Sequence, residues 1–202
     1  MSLLLRVELP DVPGSLGRLA TAIGVAGGDI EALEIVEKRH DGTAVDDVLV
    51  EIPSGVMPDS IVSACNALDG VEVVWISRYA AGNNIFLDLE VVEELTGDPS
   101  SALDKLVDLL PVTFRCEWGA RVAQGDKVVR GTEGAPLELA WLPLEHPRRL
   151  DPLDEEDVRC AARLTDDEIV VLGRRGGPEF MESELARLGH LAALAASIET
   201  RG

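Results

Sequence analysis

Few side chains of the types that catalyse reactions occur in this sequence, and those present stand far apart. The chain has three cysteines and three histidines, which are Cys65, Cys116, Cys160, His40, His146 and His190. Among them there is no CxxC pair, no HExxH motif and no spacing typical of a zinc site. We therefore expect buried free thiols and histidines that are solvated or at the edge of a core, and we predict no catalytic residues, no metal site and no cofactor.

Two acidic runs and one glycine-rich segment also contain residue types that bind ions. The acidic runs, at 154–157 and 166–168, lack the alternating oxygen ligands and the glycine of a calcium loop. The segment 173–177, Gly-Arg-Arg-Gly-Gly, follows a predicted strand but matches neither a phosphate-binding loop nor a dinucleotide fingerprint. We interpret the acidic runs as charge suited to helix N-termini and the glycine-rich segment as a solvated turn.

The bend after the first apolar segment is the best candidate for a binding site. It comprises Asp11, Val12, Pro13, Gly14, Ser15 and Leu16, and a helical pattern follows it. Because Gly14 has no side chain, a ligand can approach its backbone closely. The N–H groups at the start of the helix lack partners within the helix and suit a carboxylate. A purely structural interpretation stands beside this one, in which Asp11 forms an Asx-type turn and Gly14 serves backbone geometry.

Composition and charge limit the class of protein. The 202 residues are 46% hydrophobic and 27% charged, which is typical of globular chains, and no apolar run approaches the ~20 residues of a membrane span. The formal net charge of -19 opposes binding to phosphate backbones and anionic lipid. We expect neither a nucleic acid nor a membrane as partner. The N-terminus does not resemble a signal peptide, so we expect a cytoplasmic protein.

The elements that position the bend follow from the hydrophobic periodicity of residues 1–80. Apolar residues recur at helical spacing after Ser15 and again from Ile61, whereas the other segments alternate as strands do. The predicted strands are 3–9, 30–38, 43–52 and 71–79. The resulting order is βαββαβ, the ferredoxin-like arrangement, with both helices on one sheet face. The other face, or an edge, then needs a partner, so we expect a homodimer or a higher oligomer, or packing against the second half of the chain.

A small polar junction at 80–84 separates this part from a second domain, so we predict domains at 1–80 and 85–202. The pattern of the second domain is mixed, and the fold class of the whole chain is α+β. We predict helices at 86–95, 101–110 and 185–198 and a short helical piece at 158–164. We predict strands at 112–124, 137–144 and 168–174, with a polar connection at 125–136 and a loop at 146–156.

The segment RVELPDVPGSLGRLATAIGVAGGDI resembles the opening of ACT domains, including those attached to bacterial malic enzymes and to amino-acid biosynthetic enzymes. The likeness rests on Asp-x-Pro-Gly-x-Leu followed by Gly-Gly-Asp-Ile, and it covers about residues 3–79. It implies a small-molecule ligand, commonly an amino acid, at an interface between two domains. By this resemblance the bend and the next strand, including Asp29 and Ile30, hold the ligand, and Asp11 or Asp29 accepts hydrogen bonds from its α-ammonium group.

The closing segment EIVVLGRRGGPEFMESELARLGHLAALAASI resembles GAF domains, so the second half is predicted to be a GAF-like α/β domain. GAF domains often have Ser or Thr after the phenylalanine as a helix cap, whereas Met181 follows Phe180 here. We therefore expect no capping box at this position. The sequence lacks the cyclic-nucleotide motif of the family, and it names no ligand for this half.

Taken together, these patterns predict a non-catalytic regulatory or sensory protein that binds a small molecule, an amino acid in the first instance, at an ACT interface. One alternative is a thiol-dependent reductase on a GAF fold, with Cys116 and Cys160 as the reactive pair. Another is a ligand-free interaction subunit of a separately encoded enzyme. The sequence does not identify the ligand or the partner.

Overall fold

The computed structural model describes residues 1–79, 84–152 and 156–201. The chain divides into two compact units, Met1–Ala81 and Gly82–Gly202. Each is a mixed α and β structure built on one antiparallel sheet. Within the described residues, no helix has both the length and the apolar character needed to pass through a membrane.

The first unit contains all six elements that periodicity predicts. They are β1 (Ser2–Pro10), α1 (Ser15–Val25), β2 (Asp29–Lys38), β3 (Thr43–Glu51), α2 (Pro58–Asn66) and β4 (Glu72–Tyr79). The sheet order is β2-β3-β1-β4, with every neighbouring pair antiparallel. This βαββαβ order is the one found in ferredoxin-like domains.

One face of this sheet and the apolar stripes of both helices form the core of the first unit. Leu19 and Ile23 of α1 and Ile61 of α2 are fully buried against alternate residues of β1 and β3. The contact is close at Gly28, where a Cβ would lie 2.7 Å from Val50 and 2.8 Å from Ile23. A glycine is therefore required where the chain leaves α1 and enters β2.

The central strand β3 buries side chains on both of its faces. Its residues from Ala44 to Val50 are all buried. On the face away from the helices, Asp47 lies directly opposite Arg6 of β1. Their side chains form a two-pronged ion pair, with Nε to Oδ1 at 2.8 Å and Nη2 to Oδ2 at 2.9 Å. Each charge is thus compensated where water does not reach it.

The second unit is built on a five-stranded antiparallel sheet of order β6-β5-β9-β8-β7. Its helices are α3 (Asn84–Gly97), α4 (Ala102–Phe114) and α5 (Glu182–Arg201), with a short 3-10 helix at Pro99–Ser101. Its strands are β5 (Trp118–Ala123), β6 (Lys127–Gly131), β7 (Arg148–Leu150), β8 (Asp157–Arg163) and β9 (Glu168–Arg175). The three helices pack together on one sheet face, and Leu139 and Leu144 cover the other.

Several predicted elements of the second unit are wrong. The segment 137–144, the strap, has no regular secondary structure. Its apolar residues cover one face of the sheet and do not pair with a strand. The strand forms instead at Lys127–Gly131, inside the segment interpreted as a polar connection, where Gly125 and Asp126 adopt positive φ and turn the chain. In addition, residues 112–114 belong to α4, so the strand predicted at 112–124 begins later.

The short helical piece predicted at 158–164 is also wrong, since this segment is strand β8. Burial does not alternate along this strand. Three consecutive residues, Cys160, Ala161 and Ala162, are buried, as expected for a strand covered on both faces. Periodicity alone does not separate such a run from a helix. The segment predicted as a loop at 146–156 contains β7 at its centre, and residues 153–155, with the start of the first acidic run, lie outside the described residues.

The interpretation of 173–177 as a solvated turn is wrong for Arg174. That side chain is 4% exposed, lies 3.4 Å from a carboxylate oxygen of Glu184, and stacks 3.9 Å from the centre of the Phe180 ring. The Glu184 carboxylate also accepts the N–H of Met181 at 2.7 Å. Half of a capping box therefore exists at the start of α5, although methionine provides no reciprocal oxygen.

Candidate functional site

The bend between β1 and α1 is held by its backbone and leaves its outer side open. The N–H of Asp11 donates to the carbonyl of Gly42 at 2.8 Å, and the N–H of Ser15 donates to that of Val12 at 3.2 Å. Gly14 has a φ of 94°, which explains the need for glycine. No described atom lies within 4 Å of the point where a Cβ of Gly14 would stand. Asp11, Val12 and Gly14 are exposed, while Ser15 is buried.

Backbone donors at the start of α1 have no acceptors. In the described part of the chain, the N–H groups of Gly14, Leu16 and Gly17 donate to no protein oxygen. Arg18 is the first residue whose N–H reaches back to a carbonyl four positions earlier, that of Gly14, at 3.0 Å. These donors coincide with the positive end of the helix dipole, and the first turn of α1 carries no acidic side chain. The arrangement suits a carboxylate.

The side chain of Asp11 is engaged, although not in an Asx turn. Both carboxylate oxygens lie 3.0 Å from Nζ of Lys38, at the end of β2. The two side chains are 39% and 58% exposed, so solvent screens this ion pair. Asp11 can therefore exchange one cation for another at small cost.

Within one chain, Asp29 and Ile30 do not meet the bend. Asp29 begins β2 and lies opposite Glu51, at the end of β3, whereas the bend lies beside Thr43, at its beginning. Eight strand residues separate these ends, which is roughly 26 Å at ~3.3 Å per residue. The predicted site residues therefore form two separate groups in the isolated first unit.

Asp46 is the residue of this region that the sequence analysis missed. It lies on the helix-covered face of β3, opposite Val7, is 1% exposed, and its Oδ1 has no hydrogen-bond partner among the described residues. Burial, together with the negative charges of Asp11 and Asp47, raises the pKa of this carboxyl to about 6, and the positive charge of Lys38 opposes the shift. The signal was available, because two consecutive aspartates in a strand must point to opposite faces.

The cysteines of the second unit lie in its core. Burial raises the pKa of the Cys116 thiol to about 12 and raises the pKa of Cys160 well above its ordinary value, despite the nearby Arg174 guanidinium. A reactive thiolate requires the opposite shift. This environment favours two packed thiols over a redox pair.

The strap side of the second unit contains a cavity of about 270 Å³. Leu139 and Leu142 of the strap and Leu150 of β7 line it, together with the guanidinium groups of Arg148 and Arg159. The Nε atom of Arg159 lies 2.6 Å from Asp157. Arg149 and Asp151 also line the cavity, so it combines apolar walls with charges of both signs, and two of its three arginines, Arg149 and Arg159, already pair with carboxylates.

The part of the chain that the structure describes contains no cluster of metal-ligating side chains. No three side chains of the metal-ligating types converge there. The three histidines, at positions 40, 146 and 190, are all exposed.

Comparison with known proteins gives one relative by sequence. No family model matches the chain. Over 74 residues it is 36% identical to NAD-dependent malic enzyme 1 of Bacillus subtilis (strain 168). That match covers 36% of this chain and 17% of the enzyme, so the chain corresponds to a small part of its relative.

Two solved structures show low similarity. A formyltetrahydrofolate deformylase from Pseudomonas putida KT2440 is 10% identical, with a TM-score of 0.30, over 48% of this chain and 39% of that one. An unknown protein from Galdieria sulphuraria is 11% identical, with a TM-score of 0.32, over 99% and 92%. Similarity to a known protein by sequence is therefore limited to 74 residues of this chain and a small part of a malic enzyme.

Proposed function

We propose that the first unit is an ACT-like domain that binds an amino acid without transforming it, and that this binding serves regulation. The observation that carries the proposal is the exposed set of backbone N–H groups at Gly14, Leu16 and Gly17, which have no acceptors in the described part of the chain. The βαββαβ order, the Asp-x-Pro-Gly-x-Leu motif and the sequence similarity to a malic enzyme support it.

A second copy of the chain completes this proposed site. Strand β2 is an edge of its sheet, and its Leu33 and Ile35 side chains are 38% and 46% exposed. Such an edge pairs readily with another strand. If two β2 edges pair antiparallel about a two-fold axis, Asp29 of one copy approaches Lys38 and the bend of the other. The two separate groups of predicted residues would then form one site.

Regulation requires that the ligand favour one arrangement of the protein over another. A ligand held between two copies does this, because it binds the dimer more tightly than the single chain. The second unit, whose sequence resembles GAF domains, would serve as a second sensor or as a docking surface for a separately encoded enzyme. We retain the ligand-free interaction subunit as the competing function, since it needs the same edge and no ligand. The thiol reductase has no supporting feature in the environment of its cysteines.

Thermal-shift screening and isothermal titration with the twenty common amino acids test the proposal. We expect at least one to stabilise the full chain, and Gly14→Ala to weaken its binding tenfold or more because alanine resists the positive φ of the bend. Gly24→Ala is the matched control, since Gly24 lies in α1 with no described atom within 4 Å of an added Cβ. A folded chain that none of the twenty stabilises would leave the interaction subunit as the better account.

A further inference from the structure

We propose that Asp46 holds the ammonium group of the ligand, so that the site selects α-amino acids over carboxylic acids that lack an amino group. This inference rests on the proposed function and deepens it. Neither the resemblance nor the sequence pattern assigns a role to Asp46.

The position of Asp46 relates it to the bend. It shares the helix-covered face of β3 with Ala44 and lies three residues after Thr43, the first residue of the strand, which pairs with Pro10 just before the bend. Lys38 pairs with Ala44 on the neighbouring strand. Asp11 and Lys38 both act electrostatically on the carboxyl of Asp46, so the ion pair beside the bend and the buried carboxyl are neighbours.

One buried carboxylate oxygen of Asp46 has no hydrogen-bond donor among the described residues. Burial of a carboxylate oxygen without a hydrogen-bond donor lowers the stability of the fold. If Asp46 served only the structure, an apolar residue at this position would be more stable. The local charges do not balance either, because Asp11 and Asp46 face a single cation, Lys38. An ammonium group supplies three donors and one positive charge, and so meets both deficits.

Asp11 is the weaker candidate for the same role. Its two oxygens already receive Nζ of Lys38 at 3.0 Å. That pair is exposed, so it can open and admit a small ligand. A zwitterion entering there would place its carboxylate at the N–H groups of Leu16 and Gly17 and its ammonium group toward Asp46.

The test compares the wild-type chain with Asp46→Asn, and uses Glu51→Gln, an exposed carboxylate on the same strand, as the matched control. Titration uses the amino acid that stabilises the wild type most, together with the 2-hydroxy acid that carries the same side chain. We expect Asp46→Asn to weaken binding of the amino acid tenfold or more, and to leave the weak binding of the hydroxy acid unchanged. Glu51→Gln should bind both as the wild type does.

A second measurement needs only the wild type and keeps the proposal testable if Asp46→Asn does not fold. Binding of the amino acid should weaken as the pH falls from 7 to 5, because protonation of Asp46 removes its attraction for the ammonium group. Asp11, Asp47 and Lys38 are the charged groups that act on Asp46, and His40 lies in the turn next to Gly42. The variant His40→Gln should show the same pH profile.

The outcomes separate the two proposals. Equal binding of the amino acid by Asp46→Asn and the wild type would overturn the role of Asp46 and leave the amino-acid site standing. Binding that does not change between pH 5 and 7 would do the same. If no amino acid binds the wild type, the proposed function fails and the role of Asp46 fails with it.

Discussion

Asp46 and Asp47 are adjacent on β3 and both are buried, but they lie on opposite faces of the sheet and differ in their partners. Asp47 faces Arg6 and forms two short hydrogen bonds with it, whereas Asp46 faces the helix side with one oxygen unpartnered. A buried charge that has a partner is compensated, and removing the partner lowers the stability of the fold. Burial of a charge without one reduces stability, and proteins keep such a group where function requires it. We interpret Asp47 as a structural carboxylate and propose Asp46 as a functional one.

Replacing Asp47 should have the largest effect on stability. Asp47→Asn removes the negative charge that faces the buried Arg6 and breaks their ion pair, so we expect a loss of about 3–5 kcal/mol in the free energy of unfolding. Urea denaturation monitored by circular dichroism measures it. A loss below about 1 kcal/mol would mean that the ion pair is not the main support of Arg6.

Replacing Asp46 should have an effect of the opposite sign. Asp46→Asn removes a buried charge that has no compensating partner, and we expect the unliganded protein to gain about 1 kcal/mol at pH 7. The same urea measurement applies. A destabilisation comparable to that of Asp47→Asn would show that Asp46 is structural, and the contrast between the two residues would disappear.

The pH dependence of stability gives an independent view of Asp46. Its pKa in the folded protein is about 6, above the value of 3.8 expected for an unperturbed aspartate. The folded state therefore retains a proton that the unfolded state loses, and stability falls as the pH rises from about 4 to 6. The wild type should lose more stability over this window than Asp46→Asn does. If the free energy of unfolding changed with pH to the same extent in both proteins, the raised pKa of Asp46 would be refuted.

The exposed ion pair at the bend should matter least for stability. Lys38→Ala removes the partner of Asp11 at a solvent-exposed site, and we expect a change of at most about 0.5 kcal/mol in the free energy of unfolding. Thermal denaturation is sufficient to measure it. A loss above about 2 kcal/mol would mean that Lys38 also supports Asp46 in the folded state, and that the two carboxylates of β3 are both paired.

Periodicity predicted the first unit well and the second unit poorly, for a physical reason. In residues 1–79 glycines at positions 27, 28, 42 and 70 end the elements, so even β3, which is buried on both faces, is preceded by a turn signal. In the second unit, β8 is covered on both faces and so lacks alternation. The apolar residues at 137–144 bury themselves as a strap, which has no period of its own.

The sequence predicts only part of the candidate site. The geometry of the bend depends on its own residues, whereas the surroundings of the bend depend on how distant segments pack. The motif at Asp11–Leu16 carries its own turn geometry, so the sequence was sufficient to predict it. The burial of Asp46 depends on the helices covering one face of the sheet, and the separation of Asp29 from the bend depends on strand order. Both are tertiary facts that no local pattern encodes. The double aspartate was nevertheless visible, and strand alternation could have marked one of the pair as buried on the helix side.

Backbone amide chemical shifts test the central claim most directly. In a titration of the nitrogen-15-labelled full chain with the amino acid that stabilises it most, the N–H signals of Gly14, Leu16 and Gly17 should move furthest. Their movement should saturate with the affinity found by calorimetry. Saturating shifts confined to the second unit, with these three signals unmoved, would contradict the account.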